Sequence, residues 1–203
     1  GSPRAQNLAD LFAVRYLLLA PGTPPPSWAR PVLRTSAATV AVNPSAFPRA
    51  WVAYDWQRSS GRVDALRRTT DSPTPRLLSA PVIEGAPTPP TGVARTATPA
   101  RIVSDGSESV TVQATAAGAG YLILDDSAYP GWQASVDGRA VPWYPADENF
   151  RAVPLRAGRH VIRFSYRPAS ALAGLIVSGA CAIALLALAL IGWRQSRLAR
   201  GQG

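Results

Sequence analysis

The chain has few or none of several residue types, and each shortage limits what it can be. Its 203 residues include no Met and no Lys, one Cys and one His. The missing Met indicates a piece of a longer protein, or a truncated chain in which Gly1-Ser2 is a cloning remnant. A single Cys excludes an internal disulfide, and Cys181 with His160 is too small a set for a structural metal site. We therefore expect no metal and no cofactor.

The charge of the chain has one sign in excess, but it is not concentrated. All 21 basic residues are Arg, against 12 acidic residues, and the net charge is +9. Clustered basic residues attract nucleic acids or anionic membranes. Here the Arg residues are scattered, with no run of three, and acids lie between them. A nucleic-acid partner is therefore not expected.

One long apolar run lies near the C-terminal end of the sequence. Residues 171–193 contain neither a charge nor a proline. About 20 apolar residues are enough to cross roughly 30 Å of hydrocarbon, so we predict a transmembrane helix over residues 169–193, with the lipid bilayer as its partner. Gly174, Ser178 and Ala182 recur every four residues, which either lets another helix approach closely or merely reflects the abundance of small residues.

The residues after the apolar run indicate its orientation. Three Arg residues and no acid occur in the tail 194–203, which predicts a cytoplasmic tail by the positive-inside rule. Residues 1–168 are then extracytoplasmic, and the protein is expected in a cell membrane. The segment Leu8–Ala20 is too short and too charged to export them. We therefore expect further membrane helices upstream in a polytopic parent protein.

Residues 1–99 have the pattern of a small α/β portion followed by a Pro-rich connection. Helices are predicted at Asn7–Phe12 and at Gly61–Arg68, the second with Val63 and Leu66 on its buried side. The other expected segments are strands at Val14–Leu19, Thr39–Val42 and Ala50–Tyr54, and a long connection over Asp71–Pro99 with one strand near Leu77–Leu78.

Residues 100–168 have the pattern of an antiparallel β-sandwich. Short apolar or alternating runs are separated by turn signals at spacings of about 8–12 residues. Asp137-Gly138 is the strongest local hairpin signal. The predicted strands are Ile102–Ser104, Val110–Ala114, Tyr121–Leu124, Trp132–Val136, Ala140–Tyr144, Arg151–Leu155 and His160–Tyr166. The chain is thus predicted to be mainly β: a jelly-roll-like antiparallel sandwich with a small α/β N-terminal portion, followed by one C-terminal transmembrane helix.

The most specific stretch reads GYLILDDSAYPGWQASVDGRAVPWYPADENFRAVPLRAGRHVIRFSYRPAS. Its Y-P-G-W turn, V-D-G hairpin, F-R-A-V strand and A-G-x-H strand, together with the earlier LADLFAVRYLLL and NPSAFPRAWV, resemble the C-terminal part of YfhO-type bacterial membrane proteins. The motif positions, which we interpret as structural, are Asp125, Tyr129, Pro130, Gly131, Trp132, Asp137, Gly138, Phe150, Arg151, Gly158 and His160.

The resemblance implies a relation to polytopic glycosyltransferases that use polyprenyl-phosphate sugars. In those proteins the catalytic acids lie in the first extracytoplasmic loop, to which no position here corresponds. We therefore assign no catalytic residue to this chain and leave the activity of the parent protein open. The doublets Asp125-Asp126 and Asp147-Glu148 could suggest a glycosidase-type pair. Neighbouring strand residues point to opposite faces, however, so we interpret these acids as solvated or turn-capping.

Aromatic residues surround two of the predicted turns. Tyr129, Trp143 and Tyr144 are candidate glycan contacts, because aromatic rings stack on the apolar faces of sugars. Alternatively, they fill the core or lie at the level of the lipid headgroups. Trp132 shares an apolar strand face with Ala134 and Val136 and is expected inside the sandwich.

Three hypotheses for function remain. The first, which we favour, is a non-catalytic accessory domain that lies beside upstream membrane helices and assists the transfer of an envelope glycan or polyprenyl-linked sugar. The second is a membrane-anchored carbohydrate-binding module. The third is a purely structural cap.

Overall fold

The computed structural model describes residues 3–87 and 96–200. The chain forms two compact units, Gly1–Ser165 and Tyr166–Gly203. The first unit is mainly β and built on antiparallel sheets, with small helices near its N-terminus, and the second is one apolar helix. The predicted fold class is confirmed.

The elements follow one another in this order. The helices are α1 (Pro3–Leu11), α2 (Arg62–Asp71), α3 (Thr74–Ser79) and α4 (Ala169–Arg200). The strands are β1 (Tyr16–Leu19), β2 (Arg30–Arg34), β3 (Thr39–Val42), β4 (Ala50–Ala53), β5 (Gln57–Ser59), β6 (Val82–Glu84), β7 (Thr98–Pro99), β8 (Arg101–Asp105), β9 (Ser109–Ala116), β10 (Gly120–Leu124), β11 (Trp132–Val136), β12 (Arg139–Val141), β13 (Tyr144–Ala146), β14 (Phe150–Leu155) and β15 (Gly158–Tyr166).

The strands form three sheets. A three-stranded sheet has the order β1-β3-β2, a seven-stranded sheet the order β5-β6-β13-β14-β10-β4-β7, and a five-stranded sheet the order β12-β11-β15-β9-β8. Most neighbouring strands pair antiparallel, among them β10 with β14, β10 with β4 and β15 with β9, whereas β5 and β6 pair in parallel. The seven-stranded sheet joins strands from both sides of residue 100, so the N-terminal portion and the sandwich portion share one framework.

The central strands of the seven-stranded sheet are apolar on both faces. On one face Trp51, Ile123 and Phe150 are fully buried in a cluster with Ala65 of α2 and Leu77 of α3. The indole nitrogen of Trp51 also donates a hydrogen bond of 3.0 Å to a backbone carbonyl at the end of α3. The helices therefore cover this face of the sheet.

The other face of the seven-stranded sheet packs on the five-stranded sheet. Leu122 pairs with Val153, and Arg151 lies two residues along β14 on the same face. The guanidinium of Arg151 lies over the rings of Trp132 and Phe164, which belong to the five-stranded sheet. The two sheets thus form a sandwich, and Trp132 is 7% exposed inside it, as the period-two pattern predicts.

Two expectations for the segment between β5 and β6 are wrong. Val63 and Leu66 are 84% and 49% exposed, and the buried residues of α2 are Ala65 and Thr69. Small side chains at i and i+4 let the helix backbone lie close to the sheet, so size rather than hydropathy decides which side is buried. Leu77 belongs to the short helix α3, not to a strand, and β6 comes after it.

The strand predicted at Ala140–Tyr144 is in fact two strands. β12 pairs with β11 in the five-stranded sheet, whereas β13 pairs with β14 in the seven-stranded sheet. Pro142 lies between them, and it cannot donate a backbone hydrogen bond to continue a ladder. The chain therefore crosses from one sheet to the other at this residue.

The Asp137-Gly138 hairpin is confirmed. Val136 pairs with Arg139, which leaves a two-residue loop. Asp137 has φ 51° and Gly138 φ 79°, and a type I′ turn requires positive φ at both central residues. Gly and Asp adopt this conformation more readily than other residues do.

The second unit is the helix α4. Its segment Ala169–Ile191, 23 residues, is long and apolar enough to cross a membrane. The helix continues without a break to Arg200, so the basic residues 194–200 extend the same helix. The large apolar side chains described between Leu175 and Ile191 are exposed in this unit, which suits contact with lipid acyl chains.

One glycine in the seven-stranded sheet gives a sharp test of the packing. A Cβ atom on Gly120 would overlap the backbone carbonyl oxygen of Ala53 on β4, which cannot move without opening the sheet. G120A should therefore lower the free energy of unfolding by about 1–3 kcal/mol, as overpacking does. The control is G61A, because Gly61 is extended and has open space around its Cβ position. Thermal unfolding followed by circular dichroism should show a lower Tm for G120A alone, and equal Tm values would contradict the described packing.

Candidate functional site

A cavity of about 270 Å³ opens at the sandwich edge where β8, β10 and β14 end or begin. It lies next to the loop between β10 and β11, which carries the Y-P-G-W motif. Gly131, with φ 108°, allows this loop to turn sharply into Trp132. The side chains that define its wall are Asp105, Ser107, Asp126, Tyr129, Trp132 and Arg151.

Arg151 is the most unusual residue of this wall. It is 1% exposed, and its guanidinium carbon lies 3.8 Å from the ring centroid of Trp132 and 4.9 Å from that of Phe164. Cation–π contacts of this kind partly replace lost hydration. Burial nevertheless lowers the pKa of Arg151 to about 10, while the neighbouring Asp126 raises it. The group therefore stays charged at neutral pH inside an aromatic environment.

Asp126 connects Arg151 to a second arginine. Its Oδ2 accepts a hydrogen bond from Arg151 Nη2 at 2.8 Å, and its Oδ1 accepts one from Arg49 Nη2 at 2.9 Å. Arg49 also donates to Asp105 Oδ2 at 2.6 Å, and this bond raises the pKa of Arg49. Two cations and two anions thus alternate along one chain of contacts.

The hydrogen-bonding capacity of Arg151 is only partly used. Its Nε and Nη1 are buried and have no hydrogen-bond partner in the part of the chain that the structure describes. A buried donor without an acceptor costs about 1–3 kcal/mol. The contact with Asp126 therefore accounts for only one of the guanidinium nitrogens.

Tyr129 covers one side of the cavity. Its side chain is 42% exposed, and its ring meets that of Trp132 nearly edge to face, with centroids 6.1 Å apart. The wall therefore offers an aromatic surface to solvent next to the charged groups. Of the three aromatic residues considered as glycan contacts, Tyr129 lines this cavity.

The other two aromatic candidates are placed differently. Trp143 is half-buried, and its indole nitrogen donates a hydrogen bond of 2.8 Å to the backbone carbonyl of Trp132. Tyr144 packs against the buried core, with its ring 5.9 Å from that of Tyr121. Both residues make contacts typical of structural side chains.

A second group of motif residues connects the Asp137-Gly138 hairpin to β15 by hydrogen bonds. His160 Nδ1 lies 2.7 Å from Asp137 Oδ2, and Asp137 Oδ1 accepts a hydrogen bond from the backbone N–H of Val161. The His160 contact lowers the pKa of Asp137. His160 Nε2 lies 3.1 Å from the carbonyl oxygen of Arg156, and Gly158 lies beneath the ring. Both ring nitrogens thus face acceptors of the protein.

The acids considered as a carboxylate pair are partly or fully buried. Asp147 is 2% exposed, and its Oδ1 accepts a hydrogen bond from the backbone N–H of Val82. Burial raises the pKa of Asp147 to about 7. Glu148 accepts a bond of 2.7 Å from Arg62 Nε. Asp125 is half-buried, and burial together with the adjacent Asp126 raises its pKa to about 7.

Three contributors to the site were not singled out in the sequence. Arg49, Asp105 and Ser107 come from segments far from the Y-P-G-W motif, and contacts at this distance leave no periodic signal. Arg49 does follow the NPSAFP motif directly, which is the one local hint. Among the described residues, no group of three or more His, Cys, Asp or Glu side chains is arranged to hold a metal ion.

A larger cavity of about 830 Å³ lies elsewhere in the first unit. Its wall includes Arg101, Gln113 and Arg159, together with the Asp137–His160 pair. The polar atoms of that pair are engaged in the hairpin contacts described above. This cavity therefore shows no comparable deficit of hydrogen bonds.

Fold and site together define a class: a mainly β domain followed by a helix able to cross a membrane. Residues 93–178 match the family model described as bacterial membrane protein YfhO. This stretch begins before β7 and ends within α4. The match supports a YfhO-type bacterial membrane protein segment, in agreement with the resemblance, and supports a membrane localisation. No curated protein matches the chain. No solved structure matches it either.

The buried Asp147 predicts a specific pH dependence. Its pKa is near 7 in the folded chain and 3.8 as the ordinary value, so the folded state gains a proton that the unfolded state has lost. This contribution to the free energy of unfolding therefore rises as the pH falls from about 7 toward 3.8. D147N should flatten that rise. Adding D125N to D147N should flatten it further, because burial raises the pKa of Asp125 in the same direction.

The free energy of unfolding is measured by chemical unfolding across this pH range, and at each pH the value of each variant is subtracted from that of wild type. The control is E108Q, which changes an exposed acid in the turn between β8 and β9. An unchanged slope in D147N would show that Asp147 is ionised in the folded state throughout.

Proposed function

We propose that residues 1–168 form a non-catalytic, extracytoplasmic accessory domain of a polytopic YfhO-like protein that acts in the transfer of cell-envelope glycans or lipid-linked sugars. The observation that carries this proposal is the extent of the YfhO-type segment. It includes the strands β7 to β15 and the start of α4, so the domain leads directly into a membrane helix.

The direction of the helix follows from its flanking charges. Residues 194–200 add three Arg residues and no acid beyond the apolar segment. Positive charge close to the end of a span favours the cytoplasmic side. The domain that precedes the span then lies on the opposite side, where envelope glycans are assembled.

The accessory role is supported by what the acids contact. Glycosyl transfer by an acid pair needs two carboxyl groups that face one sugar from opposite sides. In the described residues, Asp126 is bonded to two Arg side chains and Glu148 to one, and Asp147 is buried against a backbone N–H. These contacts suit groups that hold loops in place.

The partners of this domain follow from the same reasoning. The YfhO type and the apolar helix fit a lipid bilayer. Upstream membrane helices of the parent protein would carry the transfer site. The domain would cover that site from outside and guide an envelope glycan or a polyprenyl-linked sugar towards it.

The orientation is testable with cysteine variants in the full-length parent protein. Cys181 is first replaced by Ala, and Cys is then placed either at the exposed Ser45 or at Ser196 beyond the span. A thiol reagent that does not cross membranes should label S45C in intact cells and label S196C only after lysis. The reverse pattern would place the domain in the cytoplasm and overturn the proposal.

The absence of catalysis in this chain is testable separately. The purified chain in detergent should not turn over a polyprenyl-phosphate sugar or hydrolyse glycosides, because no free acid pair has been assigned to it. D125N and E148Q serve as controls for contaminating activity, which would persist unchanged in both. Turnover that either substitution abolished would show that the domain is catalytic.

A further inference from the structure

The wall of the cavity beside Tyr129 includes an arginine whose hydrogen bonds are incomplete. Arg151 lines the cavity, and its Nε and Nη1 have no partner among the described residues. The guanidinium is held in place by its stack on Trp132 and its bond to Asp126. Because Nε and Nη1 are buried, a ligand oxygen would complete their hydrogen bonds only if the side chains around the guanidinium moved to admit it.

The same wall also offers acceptors. Asp105 and Asp126 both line the cavity, and their carboxylates are shared with Arg49 and Arg151. Two negative and two positive side chains leave no net charge. Arg49 does not line the cavity, but it is bonded to both carboxylates that do. An anionic ligand would meet two carboxylates, and a cationic ligand would meet the guanidinium of Arg151 and carboxylates that are already paired with Arg. A hydroxyl group both donates and accepts, so neighbouring hydroxyl groups on a neutral molecule fit both halves of the wall.

The apolar part of the wall suits a ligand with a C–H face. Tyr129 exposes a large part of its ring beside the charged groups. Aromatic rings bury the apolar face of a sugar while its hydroxyl groups reach polar side chains. Ser107 and Ser127 add two small hydroxyl groups at the same cavity.

The size of the cavity limits the ligand. Its volume of about 270 Å³ corresponds to roughly nine water molecules at about 30 Å³ each. One pyranose ring fits such a space, whereas a longer glycan would have to extend into solvent. The site is therefore matched to a single sugar residue.

We propose that this cavity binds one neutral sugar residue of a glycan, with Arg151 donating to and Asp126 and Asp105 accepting from its hydroxyl groups while Tyr129 covers its C–H face. The inference deepens the accessory role and rests on it for the source of the sugar. It makes Arg151, a motif position interpreted above as structural, a ligand contact, and it keeps Tyr129 as the glycan contact among the three aromatic candidates.

The test uses the purified full chain in detergent and four probes: the methyl glycosides of glucose, galactose, mannose and N-acetylglucosamine. Each is added separately at millimolar concentrations, and contact is detected by saturation-transfer NMR on the sugar. At least one probe should bind wild type. Y129A should weaken it roughly tenfold, as loss of an aromatic anchor does. Y16A is the matched control, because Tyr16 is exposed on the three-stranded sheet, away from the cavity.

Two further variants separate ligand contact from folding. R151M retains side-chain bulk between the sheets and should abolish binding. If R151M does not fold, D105N replaces it, because Asp105 is half exposed at the cavity rim and should weaken binding without loss of structure. Circular dichroism establishes which variants are folded.

Several outcomes would overturn the proposal. It is wrong if none of the four glycosides binds wild type, or if Y129A and Y16A bind equally well. It is also wrong if glucuronic acid or inorganic phosphate binds more tightly than every neutral glycoside, because the cavity is then an anion site. The binding assay does not depend on membrane orientation, so a failed labelling experiment would leave the binding result unaffected. A failed binding experiment would likewise leave the orientation result unaffected.

Discussion

The guanidinium of Arg151 lies between the two large sheets, and much of the first unit is arranged around it. It contacts Trp132 at the start of β11 and Phe164 on β15, and it bonds to Asp126 in the loop after β10. Asp126 in turn holds Arg49, which directly precedes β4. A single buried cation therefore links both sheets, the Y-P-G-W loop and the N-terminal part of the chain.

A buried charge of this kind is not the most stable way to fill a sandwich. Desolvation of an ion pair often costs more than the attraction returns, and apolar residues of similar volume are frequently more stabilising. The wall around Arg151 shows what is gained instead. Donors, acceptors and the aromatic ring of Tyr129 converge on one cavity, which an apolar core could not provide. We infer that this buried arrangement is retained for ligand contact.

Much of the fold could be predicted from local patterns. The β11 strand, the Asp137-Gly138 hairpin and the apolar helix each depend on residues that are neighbours in sequence. The predictions from sequence were wrong where the packing of elements against each other decides which residues are buried and how strands pair. Ala65 and not Val63 faces the sheet from α2, and Pro142 divides one apparent strand between two sheets. Hydropathy alone does not report how closely two backbones can approach.

The sequence by itself determined the features whose physics is local. An uncharged run long enough to span hydrocarbon must be a helix in lipid, and positive φ at two turn residues favours Asp-Gly. Only the tertiary structure decided the candidate site. Arg49, Asp105, Asp126 and Arg151 are separated by up to about a hundred residues, and their charges balance only after the sheets pack. Coulombic and hydrogen-bonding partners are chosen by distance in space, because both interactions act over a few ångströms and carry no sequence periodicity.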